Sequence, residues 1–374
     1  MRIGLNLLHA MPEIGGGWNY IARLVSALSE HGAPHSYVCF VTSESSSLVP
    51  DGSKFERVLV DIDPNSRFRR VLYENTFLQD TVKKYHLDLM HWFSQTQSLL
   101  NVAPGVVTFY DLHVFDNPLS FSKIKRFYLQ TMMSYAAQHA SLLLPMSNST
   151  ALALRSILNV DEERMSVIPA IVSPAFQQIH ECETKEFRAK YKLPDIFWLF
   201  VAHFYQHKNH LRLLQAYHEL KLNGFNPWPL VLRGDDHGSL NDVMEAVEHM
   251  SLEKDVIFLT RIDEGQMPCL YSAAGALVFP SLYEGGGMPV MEAMACGCPV
   301  IASDIPTTRE FGGKAVLLFN PRDIQSIAAA MRVFQEDTHK RLQARQSGLN
   351  NVRDYSPESV IRKLVGAYNS VKLR

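Results

Sequence analysis

What the chain has little of narrows its chemistry first. Five cysteines in 374 residues (Cys39, Cys182, Cys269, Cys296, Cys298) show neither zinc spacing nor a disulfide framework. A reducing cytoplasm is therefore the simplest location. No hydrophobic run is long enough to cross a bilayer. Residues 1–7 lack the basic stretch and apolar core of a signal peptide and read as a strand. The net charge is only −2, which gives no reason to expect nucleic acid as a partner. What is plentiful is apolar surface: 47% of the residues are hydrophobic, and at this length two cores are expected rather than one.

The most informative stretch is 277–303. Leu277, Val278 and Phe279 are an apolar run closed by Pro280, the pattern of a buried strand. A loop with Gly285, Gly286 and Gly287 follows, and Pro289 suits the first turn of a helix. Gly297 sits where a left-handed cap falls, and Pro299 forbids continuation. Val300, Ile301 and Ala302 read as a second strand, so the unit predicts two parallel strands joined by a right-handed crossover. Glycines let the backbone approach a ligand closely, and a helix start offers unpaired N–H groups to an anion. Glu284 at the strand end and Glu292 one turn into the helix accept hydrogen bonds from hydroxyls. A phosphate seat flanked by two hydroxyl acceptors suggests a sugar nucleotide. A glycine-rich turn before a capped surface helix is the plainer alternative.

The run from Glu284 to Val300, EGGGMPVMEAMACGCPV, resembles the signature of family 4 of the retaining glycosyltransferases. That family has the GT-B fold: α/β, two Rossmann-like domains with parallel sheets facing across a cleft. Where the family usually carries an aromatic residue, this chain has Gly286.

The remaining pattern alternates strands and helices. A strand over 3–8 leads into a loop with Gly15, Gly16 and Gly17, then a helix over 18–30. Strands are expected at 37–42, 55–60, 89–92, 105–110 and 141–145. Arg67, Arg69 and Arg70 precede a helix running through residue 82. The segment 110–118 reads as a strand-end loop, where ligands of open parallel sheets bind, which singles out Asp111 and His113. A helix over 122–139 mixes Lys123, Lys125 and Arg126 with aromatics, a composition that suits a membrane surface as well as a helix wrapping its domain. Residues 171–183 look like a linker, giving domains 1–172 with 356–374, and 173–355. Further on, helices are expected at 184–192 and to about 222, and a turn over 304–308 leads to a helix start at 309–313.

The resemblance implies roles for particular residues. The family's Gly-Arg, four residues, Lys-Asn pattern aligns with Ala202, His203, Lys208 and Asn209, so the family's arginine is replaced by histidine. Lys208, with Arg233 and His203, is expected to hold the donor diphosphate. Glu284 is expected to bind sugar hydroxyls, with Gly285, Gly286, Gly287, Met288 and Pro289 around the phosphates and Glu292 on the ribose. Thr260, Arg261 and Ile262 are expected near the base. Asp111, His113 and the Gly15–Gly17 loop are expected to face the transferred sugar and acceptor.

The implied activity is transfer of a hexose, mannose first, from GDP-mannose or UDP-glucose to a glycan or lipid-linked acceptor in surface polysaccharide synthesis. No metal and no resident cofactor are expected, and the location is cytoplasmic with peripheral contact at the inner membrane face. A non-catalytic sugar-nucleotide-binding protein and a sugar-nucleotide epimerase of the same fold are the alternatives.

Overall fold

The computed structural model describes residues 1–12, 16–100, 103–116, 118, 121–259 and 262–372. Gly15, Thr260 and Arg261 therefore lie outside the described residues. The chain divides into two compact units, Met1–Ile171 with Tyr355–Arg374, and Val172–Asp354.

The first unit holds strands β1 (Arg2–Asn6), β2 (Ser36–Val41), β3 (Phe55–Leu59), β4 (Leu89–Trp92), β5 (Gly105–Phe109) and β6 (Leu142–Pro145). They form one sheet in the order β3-β2-β1-β4-β5-β6, with neighbours parallel. β1, β4, β5 and β6 are apolar runs because both faces of a parallel sheet are covered. Helix Gly16–His31 turns Tyr20, Ile21, Leu24, Val25 and Leu28 inward, the spacing expected of a helix lying on a sheet. Helix Pro357–Ser370, capped by the Ser356 side chain, packs against it. From that helix the Tyr368 hydroxyl lies 2.7 Å from Nδ1 of His91, whose Nε2 lies 2.8 Å from the Thr108 hydroxyl.

The second unit holds β7 (Trp198–Val201), β8 (Leu230–Arg233), β9 (Val256–Leu259), β10 (Ala276–Phe279), β11 (Val300–Ser303) and β12 (Val316–Phe319). Their order is β12-β11-β10-β7-β8-β9, again with neighbours parallel. The strand order of the first sheet is thus repeated. In each sheet the order reverses beside the first strand: between β1 and β4 in one unit, between β7 and β10 in the other. Crevices at such reversals, outside the carboxyl strand ends, are where open α/β sheets bind ligands.

Four local expectations are corrected. The helix expected to run through residue 82 is two, Arg67–Asn75 and Phe77–Lys84. Thr76 leaves the helical region at φ −125° and ψ −82°, and Asn75 accepts the Leu99 N–H through Oδ1, which fixes the break. The loop 110–118 contains a short helix, His113–Asp116, because Asp111 Oδ1 accepts the N–H of His113 at 3.0 Å and starts the turn. Helix Glu181–Tyr191 begins ahead of residue 184, with His180 Nδ1 accepting the Cys182 N–H. The helix expected to start at 309 is Pro306–Gly312, since a proline fits the first helical turn.

His9, His91 and His210 are buried without charge. His91 is fully enclosed, His9 is 8% exposed, and His210 lies between the rings of Phe200 and Phe204 at 4.5 and 4.6 Å. Burial holds the pKa of each near 3, against an ordinary value of 6.5. The unfolded chain takes up protons on these rings that the folded chain refuses, so acid favours unfolding. The loss begins below the unfolded value and is complete near the folded one, at up to about 1.4 kcal/mol per pH unit for each histidine. Urea unfolding at pH 7.5 and at pH 5 measures this. Stability is expected to fall on acidification, with a shallower slope in His210→Phe, and equal stability at both pH values would contradict the assignment.

Candidate functional site

The second unit's strand reversal gathers the charged residues singled out above. After β7 the chain passes through His203 and Lys208 to Asn209, which has φ +67°, a left-handed conformation that asparagine tolerates. The Asn209 side chain is buried and fully occupied. Nδ2 donates to the carbonyls of Pro280 at 3.0 Å and Pro321 at 2.8 Å, while Oδ1 accepts from Arg212 at 2.9 Å. Asn209 is therefore a positioning residue, tying the segments after β7, β10 and β12. The N–H of Leu282 adds a bond to the His207 carbonyl at 2.8 Å.

These ties bring Lys208 and Glu284 together. Lys208 Nζ donates to Glu284 Oε1 at 2.6 Å, with the side chains 17% and 10% exposed. The Glu284 backbone carbonyl accepts the Thr307 hydroxyl at 2.7 Å, which holds the loop from behind. A cation able to take a phosphate oxygen and a carboxylate able to take a hydroxyl thus stand within one hydrogen bond of each other.

Of the three glycines that follow, Gly287 is the one whose backbone requires glycine, with φ +55°. It precedes helix Met288–Ala295, its carbonyl accepts the N–H of Val290 at 3.0 Å, and Pro289 occupies the first turn. Gly285 and Gly286 are half-buried in the loop. Glu292 lies buried in the helix, where the Tyr271 hydroxyl donates to its Oε2 at 3.0 Å.

His203 and Arg233 converge on Asp235. The Asp235 N–H donates to His203 Nδ1 at 3.2 Å, so Nδ1 is an acceptor and the proton sits on Nε2. Burial and the neighbouring His237 hold the His203 pKa below its ordinary value, in keeping with a neutral ring. Such a ring offers one hydrogen bond and no charge. Arg233 is 15% exposed and its Nη1 lies 3.6 Å from Asp235 Oδ1, leaving its buried Nε without a hydrogen-bond partner among the described residues. Lys208 and Arg233 are thus the cationic side chains of this cluster. Ile262 is half-buried beyond β9.

The residues expected in the first unit are placed at its strand ends. Asp111 follows β5, and its N–H donates to Gln95 Oε1 at 3.2 Å beside that of Tyr110 at 3.0 Å. His113 stacks edge-on against Phe121 at 5.6 Å. Gly16 and Gly17 are the first residues of helix Gly16–His31.

Sequence reasoning missed Asp235, Tyr271, Thr307 and Gln95 as supports of this chemistry. Asp235 directly follows Gly234 at the end of β8, a visible strand-end signal. Tyr271, Thr307 and Gln95 act across 21, 23 and 15–16 residues respectively, and nothing local in the sequence marks those partnerships.

Residues 183–350 match the family model described as glycosyl transferases group 1, and residues 14–176 match that of Glycosyltransferase Family 4. The chain is 29% identical over 267 residues to O-antigen chain mannosyltransferase B of Escherichia coli, covering 71% of this chain and 70% of that protein. It is 28% identical over 231 residues to O-antigen chain mannosyltransferase RfbU of Salmonella typhimurium, covering 62% and 60%. Its match to the serotype-specific mannosyltransferase WbdA of Escherichia coli spans 55% of this chain and only 26% of that longer protein. Among solved structures it is similar to sucrose-phosphate synthase from Thermosynechococcus elongatus, with a TM-score of 0.79 at 21% identity over 99% of this chain and 98% of the other. Anabaena HepE in complex with UDP and glucose gives a TM-score of 0.78 at 17% identity over 99% and 100%.

A Cβ at residue 287 would stand 3.3 Å from Phe311 and would have to adopt φ +55°. Gly287→Ala is therefore expected to destabilise the protein by about 1–2 kcal/mol, the cost of a left-handed residue with a side chain. Chemical denaturation measures it, and a stability equal to wild type would show that the loop relaxes without strain.

Proposed function

Since the chain belongs to glycosyltransferase family 4 and is a hexosyltransferase, we propose that it moves mannose from GDP-mannose, with retention, to a glycan acceptor of a surface polysaccharide. The mannosyltransferase names of the O-antigen relatives support the choice of sugar. The observation that carries the reading is the Lys208–Glu284 contact of 2.6 Å. Lys208 would take the donor diphosphate and stabilise the charge that grows as the sugar leaves. Glu284 would accept hydroxyls of the same hexose, and Glu292, held by Tyr271, those of the ribose. The backbone of Gly285 to Met288 and the first turn at Pro289 would face the phosphates.

With His203 neutral, positive charge on the diphosphate would come from Lys208 and Arg233, and His203 would add one N–H. Reaction on one face of the sugar needs no carboxylate pair. The leaving diphosphate takes the acceptor proton while the protein holds its charge, and no metal enters the scheme. Asp111 and His113 would face the acceptor. Among the described residues no helix is long and apolar enough to cross a membrane. Exposed Phe68, Ile124 and Phe127, at 77%, 85% and 74%, stand among Arg67, Arg69, Lys123 and Arg126, which supports contact with an anionic lipid surface carrying the acceptor. The unpaired cysteines suit a cytoplasmic location.

A calorimetric panel of GDP, UDP and ADP with their mannose, glucose and N-acetylglucosamine forms tests the donor; selective binding of GDP-mannose is expected, and preference for another nucleotide sugar would replace it. Glu292→Ala is expected to weaken nucleotide binding, whereas Glu284→Ala is expected mainly to lower turnover; the reverse pattern would undo both roles. Lys208→Ala is expected to remove about 2–4 kcal/mol of transition-state stabilisation, as loss of an oxyanion donor does. Turnover unchanged in that variant would take Lys208 out of the mechanism. EDTA is expected to leave turnover intact.

A further inference from the structure

His203 stands where the family pattern has arginine, and the backbone around it is fixed. The ladder between β7 and β8 runs on past the strand ends. The Ala202 N–H donates to the Arg233 carbonyl and the Phe204 N–H to that of Asp235, each at 2.9 Å. A side chain at Gly234 would strike the Ala202 carbonyl, so only glycine lets the two segments close this far. Phe204 is fully buried, and His203, on the other side of the extended chain, is half-buried beside Asp235.

Nδ1 of His203 faces two groups of Asp235 at once. The backbone N–H donates to it at 3.2 Å, and carboxylate Oδ2 lies 3.5 Å from the same atom. A lone pair and a carboxylate thus stand side by side with no hydrogen between them. A proton on Nδ1 would turn this juxtaposition into a charge-assisted hydrogen bond, after a small tilt of the ring from amide to carboxylate.

The other groups facing the ring set its charge in the free protein. From β8 and the segment after it come Arg233 and His237, whose ring centre is 4.7 Å away. From the ring's own loop come Tyr205 at 6.4 Å and the charge of Lys208, which Glu284 engages from beyond β10. Tyr205 stacks on His237 at 4.5 Å and on His207 at 5.4 Å, and its hydroxyl lies 2.9 Å from His237 Nδ1. Asp236 gives its carboxylate to the N–H groups of Gly238 and Leu240. Burial, His237 and the two cations therefore hold the free ring neutral against the single pull of Asp235. A nucleotide sugar brings two fixed negative charges on its diphosphate. Seated on Lys208 and Arg233, it offsets the cations that oppose a proton on His203 and adds anions that favour one. An arginine needs no such step, because it is always charged.

We propose that His203 takes up one proton from solvent as the donor diphosphate binds, with Nδ1 passing from the Asp235 amide to the Asp235 carboxylate, so that donor affinity in this chain is linked to pH. One N–H bond forms, no bond of the donor breaks, and the complex gains one positive charge. The proposal rests on the donor reading above and deepens it. The charged ring favours the ligand, so affinity is highest in mild acid. It falls as pH rises through the pKa of the loaded ring, by at most about tenfold per pH unit for one proton.

The test is calorimetry of the full chain with GDP-mannose, UDP-glucose and the other nucleotide sugars at pH 6, 7 and 8, each in two buffers of different ionisation enthalpy. Nucleotide sugars are used because their diphosphate has no group that titrates in this range. The sugar nucleotide that binds is expected to bring about one proton with it at pH 7, and its Kd to rise about tenfold between pH 6 and pH 8. His203→Arg is expected to take up no proton and to bind equally at both pH values. His203→Gln is expected to take up none and to bind throughout as weakly as wild type at pH 8. His237→Gln and His207→Gln are expected to keep the uptake, which assigns the proton to His203. Binding by the wild type without proton uptake would overturn the proposal and leave the donor reading standing, as would uptake that persists in His203→Gln or His203→Arg. Failure of every nucleotide sugar to bind at pH 6 would overturn the donor reading and the proposal together.

Discussion

Lys208 and Glu284 meet because Asn209 holds three strand ends together. Its amide gives both hydrogens to backbone carbonyls, of Pro280 and Pro321, and its oxygen accepts from Arg212. A backbone carbonyl left bare in a buried setting is costly, so the amide satisfies groups that the sheet cannot reach. The positive φ of the residue gives the chain its turn into helix His210–Leu222, and the same turn aims Lys208 across to β10. The charged pair therefore depends on a neutral one: loop geometry fixed by an uncharged amide sets how closely the ammonium and carboxylate stand.

The two units share more than strand order. Each places a cation and a carboxylate at the reversal of its sheet, Lys208 with Glu284 and Arg70 with Glu74. Buried ion pairs are weak sources of stability, because desolvation offsets their attraction. Both pairs stand beside the point where the strand order of their sheet reverses. The pairs differ in tightness. One is a direct hydrogen bond of 2.6 Å, and the other a separation of 3.8 Å with the intervening carboxylate shared by Asn6.

Much of this was legible in the sequence. Apolar runs closed by proline or glycine located the buried strands, and in the stretch from Leu277 to Ser303 the strand, glycine loop, helix and strand all follow from residue type. The left-handed Gly297 and the first-turn Pro289 fall where their backbone preferences require. Legibility ended where a partner is distant in the chain. The break at Thr76 depends on Asn75 bonding Leu99, and no periodicity announces that contact. Replacement of the family's arginine by His203 was visible, yet its neutral state follows from an Asp235 N–H found 32 residues away. Helix starts shifted by a turn wherever a capping group or proline acted earlier than the apolar pattern, as at His180 and Pro306.

The closeness of Lys208 to Glu284 bears on competition inside a cell. A lone lysine in a glycine-rich loop would attract any small anion, and inorganic phosphate is abundant. Here the ammonium already has a carboxylate counterion at 2.6 Å, so an anion that offers nothing else must displace that partner and leave a glutamate only 10% exposed without compensation. A ligand that carries hydroxyls beside its phosphates satisfies both members of the pair at once. On the proposed reading the ion pair would act as a filter, discounting charge alone and rewarding charge joined to a polyol.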